Sequence, residues 1–68
     1  MNEIIFLIED ALEGGFTAKA LGYSIYTDAD TIAELHTNVR DAVTCHFETG
    51  EKPNIIRLHF VHDEVIAA

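Results

Sequence analysis

Cysteine, positive charge and long apolar runs are all scarce in this chain, and each scarcity removes a class of protein. One cysteine, Cys45, among 68 residues rules out an internal disulfide framework. That fits a reducing compartment, so a cytoplasmic location is expected. The longest apolar run, Ile4 to Ile8, is far short of the ~20 residues that cross a bilayer as a helix. No basic stretch with an apolar core and cleavage site opens the chain, so no secretory leader is expected. Basic residues number four against twelve acidic ones, a net charge of -8. Nucleic-acid binders replace phosphate counterions with clustered Lys and Arg. Lys19, Arg40, Lys52 and Arg57 are instead scattered. Direct nucleic-acid and membrane binding are therefore not expected. A surface this acidic steers towards a basic protein.

The chain reads as a single domain over 1–68. A domain of this size buries only about 60% of its unfolded surface. Small scaffolds without disulfide or metal staples gain stability from a partner chain. A homo-oligomer, dimer or higher, is the expectation.

What is present is a well-marked helix preceded by short strands. Residues 3–9 read as a strand with Ile4, Phe6 and Ile8 on one face and Ile5 and Leu7 on the other. Such a doubly apolar strand is central. A turn over 10–15 contains Gly14-Gly15, which tolerate positive φ. Phe16 to Leu21 is the second strand, with Phe16, Ala18 and Ala20 inward. Gly22 marks a reversal, and Tyr23 to Thr27 is the third strand, rich in β-formers. Thr31 with Glu34 forms a capping box, and Asp28 and Asp30 favour the positive end of the helix dipole. Asp30, Thr31 and Glu34 thus have a structural capping role. Ile32, Leu35, Val39, Val43 and Phe47 share one helical stripe, with Ala42 at its edge. The helix is expected over about 31–48, with Gly50 at the position after its end and Pro53 blocking continuation. Asn54 to His62 is the last strand, followed by an apolar tail, Val65 to Ala68.

The order β-β-β-α-β gives an α+β fold. A right-handed crossover places the last strand parallel to the central first strand, so the sheet order is 3-2-1-4 with one helix on one face. The other face is left uncovered, with Ile5, Leu7, Ile55 and Val61 on it. Uncovered faces and open edges are interaction surfaces. The candidate partner-binding residues are Ile5, Leu7, Tyr23, Tyr26, Arg57, His59 and Val61. The two tyrosines read as cross-strand or interface aromatics.

No catalytic or metal-binding constellation emerges. His59 and His62 are three apart on a strand and point to opposite faces. His36 and His46 are about 15 Å apart along a helix axis, where zinc needs convergent ligands. Cys45 has Asp41 and Glu48 nearby, which disfavour a thiolate. Glu9, Asp10 and Glu13 read as a solvated rim. The chain is expected to be no enzyme and to hold no cofactor.

The segment Glu13-Gly14-Gly15-Phe16 through Thr27-Asp28-Ala29-Asp30-Thr31-Ile32-Ala33-Glu34-Leu35 resembles the HicB-like antitoxin family. Gly14-Gly15-Phe16 matches its acidic-Gly-aromatic hairpin. Thr27, Asp30, Thr31 and Glu34 match its helix start, and Asn38, Ala42 and Glu48 fall on its helix. The resemblance covers roughly 3–62. Ala20 to Ile25 replaces the family's Pro-rich toxin-facing loop, and Ala29 stands where Gly is usual. The resemblance implies a partial RNase-H-like fold and a protein that masks the RNA surface of a small basic HicA-type ribonuclease toxin. Many members add a DNA-binding module; this chain looks like a short, solitary version. A self-associating structural module without a toxin is the alternative.

Overall fold

The computed structural model describes residues 2–68. Five elements follow one another: β1 (Glu3–Asp10), β2 (Phe16–Ala20), β3 (Tyr26–Ala29), α1 (Ile32–His46) and β4 (Ile55–Val61). The strands form one mixed sheet of order β3-β2-β1-β4, as expected from the crossover argument. β1 pairs antiparallel with β2 and parallel with β4, and β2 pairs antiparallel with β3.

The core lies between the sheet and α1. Ile4, Phe6 and Ile8 of β1, Ala18 and Ala20 of β2, and Leu35, Val39 and Val43 of α1 are all buried. Burying a large side chain of this kind stabilises by ~1.5–3 kcal/mol. Small residues on β2 let the helix approach the sheet closely. Asn38 fixes the approach, its Nδ2 donating to the Asp28 carbonyl at 2.8 Å.

Helix α1 begins at the capping signal, with the hydroxyl half of the box formed. Thr31 is the N-cap in extended conformation, and the Glu34 amide donates to its Oγ1 at 3.2 Å. Asp30 lies just before the cap, while Asp28 belongs to β3. The end differs from the expectation. Phe47 is the C-cap, extended, its amide donating to the Val43 carbonyl. Turning out of the helix there sets the Phe47 ring against Tyr23, centroids 5.2 Å apart. Gly50 is therefore not the residue after the helix. It sits at φ +94° within a turn closed by the Glu51 amide and the Glu48 carbonyl at 3.0 Å. Ile32 has the stripe's angle but is 42% exposed, because it occupies the helix's first position, at its very end.

The third strand also shifts, from 23–27 to Tyr26–Ala29. The link after β2 is wider than a tight reversal. The Ala20 amide donates to the Ile25 carbonyl at 3.0 Å, enclosing Leu21 to Ser24. Ile25 turns into the core instead of lying in a strand. Gly15 is needed at its position: its φ is +81°, and a Cβ there would lie 2.5 Å from the Ala29 carbonyl oxygen.

Residues 62–68 have no regular structure and are exposed, so they do not extend the strand. The Cα radius of gyration is 13.3 Å and the extents are 51 × 20 × 18 Å. A compact domain of this length has a radius of about 11 Å. An eight-residue strand spans only ~26 Å, so the extra length is the extended segment after β4.

Candidate functional site

Pairing registers assign the face of the sheet away from α1. Ile5 stands opposite Arg57, and Leu7 lies between Lys19 and His59. Lys19 also faces Tyr26, and Glu9 lies between Thr17 and Val61. Six of the seven expected partner-binding residues therefore share this face: Ile5, Leu7, Tyr26, Arg57, His59 and Val61. Ile5 and Leu7 are half-buried by their neighbours, whereas Tyr26 and Val61 are exposed. At the start of β1 the Arg57 guanidinium donates from Nε to Glu3 Oε1 at 2.8 Å and from a terminal nitrogen to Oε2 at 3.1 Å. That hydrogen bonding holds the Glu3 carboxyl below the usual carboxylate range and raises the Arg57 pKa.

Tyr23 is the exception and corrects the expectation. It lies in the β2–β3 link rather than on a strand, and it packs edge-on against Phe47 and His46 of the helix end. Its half-buried ring closes the core. It does not belong to the open face.

Two acidic groups that are distant in sequence meet in space. Asp10 and Glu13 of the first turn line one shallow cleft with Asp28 and Asp30 of β3 and the helix approach. The β2–β3 pairing produces this meeting, because Phe16 is opposite Ala29 and Thr17 opposite Asp28. Leu12, fully exposed, stands at the tip of the same turn. Glu9 and Asp28 carry the acidic edge onto the open face, since both pair with Thr17.

A second uncovered area lies on the helix side. Ile56, Leu58 and Phe60 of β4 share the face of Ile4, Phe6 and Ile8, yet Phe60 is 49% exposed. Helix α1 packs mainly on β3 and β2, so Ile56 and Leu58 of β4 are only half-buried against the core. The result is a cleft of about 280 Å³ between α1 and β4, lined by His36, Val39, Arg40, Ile56 and Leu58. It continues past Arg40 and Ile56 to Lys52 and Asn54. The sequence carried a signal for this gap. A helix is ~10–12 Å across with its side chains, while four strands ~4.8 Å apart span more than that once side chains are added.

The remaining candidates stay dispersed. Among the described residues no group of three or more His, Cys, Asp or Glu is placed to hold a metal. Cys45 is exposed on α1. Among the described residues no helix is long and apolar enough to cross a membrane.

No protein-family profile matches the chain, and no solved structure matches it. Two relatives do. A UPF0150 protein of Archaeoglobus fulgidus is 52% identical over 55 residues, which is 81% of this chain and 82% of that protein. A UPF0150 protein of Thermotoga maritima is 42% identical over 66 residues, 97% of this chain and 93% of that protein. With identities this high over nearly the full length of both, the chain belongs to the UPF0150 family.

Proposed function

We propose that the chain is a HicB-like antitoxin or an orphan relative, a non-enzymatic module that binds a small basic HicA-type ribonuclease toxin. The observation that carries this reading is the acidic end of the sheet, where the first turn meets β3 and the helix approach. Asp10, Glu13, Asp28 and Asp30 gather around one cleft. Beside them, Ile5, Leu7, Tyr26 and Val61 offer an uncovered apolar surface. An apolar patch rimmed by carboxylates is complementary to a basic protein with an apolar centre. The β-β-β-α-β order with sheet order β3-β2-β1-β4 agrees with a partial RNase-H-like, HicB-like domain. The net charge of -8 suits masking of an RNA-binding surface in the cytoplasm.

The test has two parts. A neighbouring reading frame should encode a basic chain of domain size. That chain, purified, should lose ribonuclease activity on addition of this protein at equal molarity. Replacing Asp10, Glu13, Asp28 and Asp30 by Asn or Gln should weaken the inhibition at least tenfold. Full inhibition by that variant, or none by the wild type, contradicts the reading. A self-associating module without a toxin is the second reading, favoured by the free edge of β4.

A further inference from the structure

We propose that the cleft between α1 and β4 binds a small amphipathic carboxylate, its head at Arg40 and Lys52 and its hydrocarbon chain over Ile56 and Leu58. Two rows of side chains build this cleft. On α1, His36, Arg40 and Thr44 are spaced by four and so lie along one flank of the helix. Across from them, Asn54, Ile56 and Leu58 follow at every second position and line the same cleft. The rows enclose two continuous parts that share Arg40 and Ile56.

The two parts differ in character. The part beside Leu58, about 280 Å³, has Val39, Ile56 and Leu58 as its apolar walls. The part beside Asn54, about 410 Å³, brings Lys52 and Thr44 to Arg40 over Val43 and the buried Pro53. Arg40 stands at the junction. One end suits a charged head, the other an apolar chain.

Charge selects the ligand. The chain has twelve Asp and Glu, yet among the described residues none lines either part. Arg40 has His36, Thr37, Val43 and Thr44 at helix-pair spacing, so α1 gives it no counter-ion. Neither Arg40 nor Lys52 makes an ion pair among the described residues, whereas Arg57 is held by Glu3. The Thr37 hydroxyl donates to the Ala33 carbonyl at 3.3 Å; the Thr44 hydroxyl has no such bond among the described residues. Two cations beside apolar walls focus a local positive field in a chain of net charge -8. A guanidinium fork pairs with the two oxygens of a carboxylate. The same net charge opposes each further negative charge, which favours a singly charged head over a phosphate monoester. Covering Ile56 and Leu58, half-buried in the free chain, supplies the hydrophobic part of the affinity. From Asn54 to Leu58 the backbone rises ~13 Å, room for a medium-length chain. The site shares no lining residue with the acidic cleft, so it stands with or without a toxin partner. It concerns the helix side of β4, not its outer edge.

Amide shifts of the nitrogen-15-labelled chain titrated with decanoate test the site. Saturable shifts are expected along 36–44 and 54–58, and none in the turn over 10–15. Affinity should rise about twofold or more per added methylene from butyrate to decanoate. Decanol, which lacks the charge, should bind roughly tenfold more weakly or worse, and decyl phosphate no more tightly than decanoate. Arg40→Gln with Lys52→Gln, both at exposed positions, should weaken decanoate binding roughly tenfold or more with the far-UV spectrum kept. Lys19→Gln, on the other face of the sheet, should leave it unchanged. No saturable shift, shifts centred outside the cleft, affinity independent of chain length, decanol binding as well as decanoate, tighter binding of decyl phosphate, an equal loss in Lys19→Gln, or binding untouched by the Arg40 and Lys52 changes would each overturn the proposal.

Discussion

Strands β1 and β4 lie side by side, parallel and in register from Glu3 with Ile55 to Glu9 with Val61. Both alternate large apolar residues, yet their fates differ. Every second residue of β1 from Ile4 to Ile8 is buried, while none of β4 is. The difference comes from the neighbours. β1 has a strand on each side and the core above it. β4 has one neighbouring strand, and the helix packs mainly on β3 and β2, so Ile56 and Leu58 are only half-buried. Apolar patterning states which face a strand would bury; the width of the covering layer decides whether it does.

The contrast is open to mutation. Val39→Asp places an unpaired charge in the centre of the core above β1, where Val39 is 1% exposed. It should abolish the cooperative thermal transition. Phe6→Ala should destabilise by ~3–5 kcal/mol in urea denaturation, since Phe6 is fully buried. Phe60→Ala on the same face of β4 removes a half-exposed ring that meets Phe16 edge-on at 6.2 Å and should cost only ~1–2 kcal/mol. An equal cost at both positions would contradict the uncovered margin. Gly15→Ala should cost ~1–3 kcal/mol, because it strains a left-handed residue and crowds the Ala29 carbonyl. Thr31→Ala should cost ~1 kcal/mol by removing the cap.

The smallest effect concerns the ends of the same two strands. Arg57 on β4 holds the Glu3 carboxylate of β1 below its ordinary pKa. A depressed carboxylate contributes stability above its unfolded pKa and loses it as pH falls through its folded pKa. Glu3→Gln should therefore lower stability slightly at neutral pH and leave it unchanged at the acid end of that window. Both groups are solvent-exposed, and such pairs contribute little. Denaturation midpoints of the two proteins across pH 2–7 check the sign.

The element order, the sheet order and the helix cap were legible in the residues. Glycines, the Thr31–Glu34 spacing and the doubly apolar β1 each carry a local signal that tertiary context did not override. The third strand and Tyr23 were not legible. A β-rich composition over 23–27 suits a strand, but Phe47 offered Tyr23 a better place against the helix end. The early helix stop has the same cause, since Phe47 leaves the helix to meet that ring. Of the open face, six of seven residues followed from alternation alone. Helix width against sheet width implied a gap, but not its place beside Arg40, because a stripe on a helix does not say over which strands the helix will lie.

Amide chemical shifts followed across a concentration series of the unmodified chain test the central claim, that the bare margin of β4 is a contact surface. The account predicts concentration-dependent changes along β4, with β1 and β2 unmoved. Shifts that stay constant at all concentrations, or that change only on the Lys19 and Tyr26 side of the sheet, would contradict it.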